Sequence, residues 1–150
     1  MKYPELSKLE FLIGDWRSTD RSYPAQGMEA GTSHGLAVYH WDLGRSWILY
    51  LFRTSLPGMG AYEVHGGFTY DPRVKLYKAF AANSLGLLMV YDGDWETEDK
   101  LVFSLIHPQV QPDTRVSYQK LADGKVQMRS ERPAEGGGRE LYFETFLEPV

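Results

Sequence analysis

Short runs in which polar and apolar residues alternate fill most of this sequence, and they predict β-strands. We place ten strands at residues 15–23, 32–43, 46–55, 61–70, 76–83, 87–91, 101–107, 115–121, 125–132 and 140–147. Glycine, proline or aspartate marks the connections, for example at 56–60, 70–75 and 92–94. The sequence therefore predicts an all-β fold, an antiparallel up-and-down β-barrel. A β-sandwich is the competing architecture.

Residues 4–13 are the exception to the strand pattern. Leu6 and Leu9 recur at helical spacing within a short apolar stretch. Pro4 suits the first turn of a helix and Gly14 suits its end. A helix of two or three turns is marginally stable alone and must bury its apolar side. We therefore expect it to cap one end of the barrel.

Alternation in the first predicted strand indicates which of its residues face the interior. Arg17 and Arg21 prefer water and should face outward. The other side of the strand, which carries Trp16, Ser18 and Asp20, should then face inward. We expect Trp16 to pack under the helix. An interior Asp20 would need polar partners or a raised pKa; the alternative is a solvated carboxylate at the barrel mouth.

The last predicted strand alternates in the same way. Leu141 and Phe143 should face inward, and Tyr142 and Glu144 outward. An outward Tyr142 would be an exposed aromatic side chain, as would Trp47. Such side chains favour a homodimer formed through an outer face of the barrel.

Composition limits the class of protein. The 150 residues suffice for a single domain, which we predict over 1–150, and ten Tyr, seven Phe and fifteen Gly favour strands and tight turns. The absence of cysteine excludes disulfides, thiolate metal sites and cysteine nucleophiles. The net charge is -4 with no basic stripe, so we expect no nucleic-acid or membrane partner. No apolar run approaches the roughly 18 residues of a membrane span, and we expect a soluble cytoplasmic protein.

Aromatic residues and methionines in the strands suggest a pocket. A barrel of about ten strands is wider than one that side chains alone fill, and Ala79 and Ala81 would leave volume inside it. We therefore expect a small hydrophobic or aromatic ligand, with a packed core as the alternative. The predicted ligand-binding residues are Ser18, Asp20, His34, His40, Tyr62, Phe68, Tyr77, Met89, Phe103, Tyr118, Met128 and Phe143.

Candidate catalytic groups are few. His34 and His40 share one face of a strand but are about 20 Å apart, too far to bind one metal ion. We predict no metal site and no cofactor. Asp20 with His40 or a tyrosine would suit an acid-base isomerase or cyclase, which is the second hypothesis after ligand binding without catalysis. The motifs of nucleophilic hydrolases, kinases and dehydrogenases are missing.

Two motifs carry a resemblance to known proteins. The segments 9–16 (Leu-x-Phe-Leu-Ile-Gly-x-Trp) and 67–71 (Gly-Phe-Thr-Tyr-Asp) resemble a bacterial family of uncharacterised calycin-like domains. This implies a barrel like those of lipocalins and fatty-acid-binding proteins. The Gly-x-Trp at 14–16 and the Tyr-Pro at 23–24 are more distantly similar to nitrobindins, which implies a haem held by a histidine in a late strand. No histidine follows His107 here, so haem binding is the third hypothesis.

Overall fold

Ten strands form one closed antiparallel barrel. The computed structural model describes residues 3–24, 29–109 and 113–150. The strands are β1 (Gly14–Ser22), β2 (Gly31–Asp42), β3 (Trp47–Leu56), β4 (Gly60–Asp71), β5 (Leu76–Asn83), β6 (Leu88–Trp95), β7 (Lys100–His107), β8 (Arg115–Lys120), β9 (Val126–Pro133) and β10 (Arg139–Pro149). Each strand pairs with the next in sequence, and β1 pairs with β10 to close the barrel. The predicted up-and-down barrel is confirmed.

A 3₁₀ helix at Pro4–Leu12 covers one end of the barrel, and a short 3₁₀ turn lies at Ala122–Gly124. The leucines of the helix are completely buried: Leu6, Leu9 and Leu12. The Tyr77 hydroxyl donates to the Glu5 carbonyl at 2.7 Å, and the Trp16 indole donates to the Leu12 carbonyl at 2.8 Å. The helix thus caps the barrel, as predicted. We call this end the closed end. No helix in the described ranges is long and apolar enough to cross a membrane.

The opposite end, which we call the open end, carries the turns at 57–59 and 84–87. Between the two ends, strand alternation sets the interior. Trp16, Ser18 and Asp20 of β1 are buried, as the two arginines on the other face predicted. In β5, Ala79 and Ala81 are buried as well.

The predicted turn at 92–94 is wrong, because these residues lie inside β6. Gly93 makes room for an aromatic ring instead of turning the chain, since a Cβ atom there would clash with the ring of Phe103. Gly66 does the same for the ring of Tyr50 on the neighbouring strand. Glycine within these strands therefore marks a close approach of a side chain.

Plain alternation also fails in β10. Its pairing with β9 shifts register between Leu141 and Phe143. A bulge of this kind adds a residue to one strand, so that two successive side chains can face the same way. Tyr142 consequently faces the interior next to Phe143, and both line the cavity described below. The predicted inward Leu141 and outward Tyr142 were wrong, and Tyr142 is not available as an exposed aromatic.

Candidate ligand-binding site

A cavity of about 290 Å³ lies inside the barrel. Most of its wall is aromatic or aliphatic. Seven of the residues that the sequence suggested line it: Tyr62, Phe68, Met89, Phe103, Tyr118, Met128 and Phe143. Since an apolar cavity of about 150 Å³ is large enough for benzene, this volume corresponds to a molecule of about two fused rings.

The cavity reaches the open end through apolar residues. Met59 lies in the turn between β3 and β4, and Leu85 and Leu87 lie in the turn between β5 and β6. All three side chains line the cavity and are also exposed to solvent. The mouth of the cavity is therefore suited to the entry of an apolar molecule.

Aromatic rings stack along one part of the wall. The ring of Phe68 lies almost parallel to that of Tyr39, at 7° and a centroid distance of 6.3 Å. It also stacks on Tyr50 and on Phe103, in both cases at 5.4 Å. These are preferred aromatic geometries, so the rings form a preformed aromatic wall inside the barrel.

Six tyrosines line the cavity: Tyr39, Tyr50, Tyr62, Tyr91, Tyr118 and Tyr142. The rings of Tyr39 and Tyr50 stack at a centroid distance of 5.0 Å, and Tyr118 meets the ring of Phe68 edge to face. Burial is the main cause that raises the pKa of all three phenols. They therefore stay uncharged hydrogen-bonding groups at neutral pH.

Sequence reasoning missed Tyr39 because the pattern in β2 is misleading. The outward face of β2 carries Leu36 and Val38, which are 59% and 39% exposed. The inward face carries the small residues Gly35 and Ala37 beside Tyr39. Hydrophobicity thus indicates that the outward face is the inward one. The signal that could have identified the true inward face is its two small residues, which leave space for neighbouring side chains.

Asp20 is completely buried and accepts hydrogen bonds from three hydroxyls. Ser18 and Thr54 donate to its Oδ2 at 3.0 and 2.6 Å, and Thr145 donates to Oδ1 at 2.8 Å. We call these four residues the Asp20 cluster. Burial raises the pKa of Asp20, while the three hydrogen bonds lower it to a smaller extent. Thr145 also lines the cavity, so its hydroxyl lies between the cavity and the carboxyl group.

The Asp20 cluster depends on a glycine. Thr54 belongs to β3, and β2 lies between β3 and β1. Thr54 reaches Asp20 over Gly35, where an added Cβ atom would clash with the Arg53 carbonyl and come within 2.9 Å of the Thr54 Cβ. The small residue therefore lets a side chain cross an entire strand.

The remaining suggested residues lie elsewhere. Tyr77 is at the closed end, where its hydroxyl also accepts a hydrogen bond from the Trp95 indole at 3.1 Å. His34 and His40 are exposed on the outer face of β2, because alternation turns the glycine and tyrosine of that strand inward. The structure therefore does not bring His40 to Asp20. Over the described ranges, no group of three or more acidic or histidine side chains is placed to bind a metal ion.

A family model described as "Protein of unknown function (DUF1579)" matches residues 4–133. The chain belongs to this family. Among solved structures, this DUF1579 protein is similar to Rv2717c from M. tuberculosis, with a TM-score of 0.69 and 17% identity over 99% of this chain and 98% of that one. A redesigned β-barrel matches with a TM-score of 0.46 and 11% identity, over 94% and 93% of the two chains. Comparison with curated proteins gives no match. At 17% identity the likeness to Rv2717c concerns the fold alone.

Proposed function

We propose that this DUF1579 protein binds a small hydrophobic or aromatic molecule inside the barrel. The observation that carries the proposal is the cavity of about 290 Å³, with its stacked aromatic wall and apolar mouth. Enclosed apolar sites with a few polar groups are typical of small-molecule binding. The resemblance of the sequence to calycin-like barrels agrees with this function.

The two alternatives have less support. An acid-base enzyme needs titratable groups that converge on the substrate. Asp20, however, lies behind Thr145, and in the described part of the chain no histidine lines the cavity. Haem needs an axial ligand, commonly histidine. The histidines do not fit that role, because His34, His40 and His65 lie on the outer surface and His107 is exposed at the end of β7.

Filling the cavity should weaken binding. Ala81 faces the cavity from β5, whereas Ala82, the next residue, is exposed on the outer face. The probe is the neutral dye N-phenyl-1-naphthylamine, whose fluorescence rises in apolar sites. Its naphthalene matches the cavity in size, and its phenyl group can extend into the apolar mouth. We expect Ala81→Phe to lower the affinity for the dye at least tenfold, because the added ring occupies the space of the naphthalene. The measurement is a fluorescence titration of the wild type and the variant.

Ala82→Phe is the matched control, since it adds the same ring one residue away on the other face. Its affinity should equal that of the wild type, and circular dichroism should show that both variants fold. Equal loss in both variants, or dye binding that Ala81→Phe leaves unchanged, would place the dye outside the barrel and contradict the proposal. Native mass spectrometry of gently purified protein would then identify any molecule that copurifies with it.

A further inference from the structure

The hydroxyls of Tyr39, Tyr50 and Tyr118 offer a hydrogen bond to a ligand. Each phenol carries one proton. All three side chains line the cavity and pack around Phe68. Tyr39 and Tyr50 stack on its ring at centroid distances of 6.3 and 5.4 Å, and Tyr118 meets it edge to face at 5.4 Å. A hydroxyl of this trio can therefore donate to an acceptor on a molecule in the cavity.

Among the described residues, the polar groups of the wall are uncharged. Besides the tyrosines they are the Asn83 amide and the hydroxyls of Ser130 and Thr145. The buried Arg132 packs its guanidinium 5.5 Å from the Tyr142 ring, but it does not line the cavity. Its Nε donates to the Glu140 carboxylate at 2.7 Å, so its charge is already paired.

An anionic ligand would therefore lose its hydration in the cavity without meeting an unpaired cation, which is strongly unfavourable. The carboxyl group of Asp20 behind Thr145 adds to this effect whenever it is ionised. The wall thus selects against anions.

A cationic ligand is disfavoured for a different reason. Cation-π binding requires that the cation sit over the face of an aromatic ring. In this cavity, Phe68 has Tyr39 and Tyr50 stacked on it at 7° and 25°, and Phe103 at 27°. Phe68 therefore offers little free ring face to a cation, which would also lose its hydration in the cavity.

We propose that the ligand is an uncharged, flat molecule of about two fused rings that carries an oxygen acceptor, such as a ketone or a quinone, which the Tyr39, Tyr50 and Tyr118 trio hydrogen-bonds. This inference rests on the proposed function. It adds the charge and the hydrogen-bonding character of the ligand, which the existence of a cavity alone leaves open.

Four naphthalenes of similar size test the inference by displacement of N-phenyl-1-naphthylamine: 2-acetylnaphthalene, 2-ethylnaphthalene, 2-naphthoate and 2-naphthylmethylammonium. We expect 2-acetylnaphthalene to bind at least about tenfold more tightly than either charged compound, because the charged groups lose hydration. Tyr118→Phe should weaken 2-acetylnaphthalene about five- to tenfold through the lost hydrogen bond. It should leave 2-ethylnaphthalene, which has no acceptor, unchanged.

Two further variants keep this test decisive. Tyr50→Phe removes another hydroxyl of the trio and should give the same difference between the ketone and the hydrocarbon. Tyr91→Phe is the control, because the Tyr91 hydroxyl contacts the Met89 sulfur at 3.4 Å outside the trio, and it should affect both compounds equally.

The outcomes separate the two proposals. Binding of 2-naphthoate or of the ammonium compound as tight as that of the ketone overturns the inference and leaves the proposed function intact. The same holds if the phenylalanine variants weaken the ketone and the hydrocarbon equally, or if none of the four compounds displaces the dye. If the dye and the four naphthalenes do not bind to the wild type at all, the proposed function itself fails.

Discussion

Trp16→Ala is expected to lower the free energy of unfolding by about 3–5 kcal/mol, the usual range for removing a buried tryptophan. The indole is almost completely buried and donates to the Leu12 carbonyl, so it joins β1 to the helix that caps the barrel. Its loss leaves a cavity at the closed end and removes that hydrogen bond. Urea unfolding followed by circular dichroism gives the change in free energy.

Trp47→Ala provides the comparison, because Trp47 is only half-buried and packs on Phe80 at the outer surface. Its effect should be at most half as large. Trp16→Phe keeps a ring but loses the indole N–H, so its loss of unfolding free energy should lie between those of Trp16→Ala and Trp47→Ala. If Trp16→Ala lowers the free energy of unfolding no more than Trp47→Ala does, Trp16 does not stabilise the closed end of the barrel.

Asp20→Ala is expected to lower the free energy of unfolding by about 3 kcal/mol. The truncation leaves the hydroxyls of Ser18, Thr54 and Thr145 without their shared acceptor in a buried place. Each buried polar group without a partner costs about 1–3 kcal/mol. Relief from burying the carboxyl group offsets part of this sum. The measurement is again urea unfolding.

Asp20→Asn keeps one oxygen acceptor and nearly the same volume, so it should lower the free energy of unfolding clearly less than the alanine variant does. Glu98→Ala removes an exposed carboxylate, and its effect should stay within about 0.5 kcal/mol. A loss in Asp20→Ala no greater than that in Glu98→Ala would contradict the role of Asp20 as the centre of the cluster.

The pH dependence of stability should also report on Asp20. Because burial raises its pKa above the ordinary value of 3.8, the folded protein keeps this proton at a pH at which the unfolded chain has released it. The stability due to this group is therefore fully present below pH 3.8 and is lost as the pH rises through the raised pKa. The difference in unfolding free energy between the wild type and Asp20→Asn should fall with rising pH across this window. A constant difference would mean that the pKa is not raised.

The strands themselves follow from local pattern. β5 lies where the alternation of its residues predicts, and its small residues Ala79 and Ala81 face inward. In β1, Arg17 and Arg21 indicate the outer face correctly, since long cationic side chains strongly prefer water. Two outward arginines on the same side of this strand are therefore enough to assign its two faces.

The candidate site was harder to predict because it depends on contacts between distant strands. Gly35 is needed on the inward face because the Thr54 side chain from β3 crosses over it to reach Asp20. The single-residue shift in β10 appears only in the pairing with β9. The hydroxyl trio likewise draws Tyr39, Tyr50 and Tyr118 from β2, β3 and β8, and no local pattern joins these strands.

The bond between Asp20 and Thr145 has a consequence for how the barrel assembles. These residues are 125 positions apart in the chain, and they meet where the first strand pairs with the last. Closing so long a loop carries a large entropic cost, and contacts of this range slow folding. The Asp20 cluster can form only after both ends of the chain have come together. It therefore holds the first and last strands of the barrel together, in addition to lying behind the cavity wall.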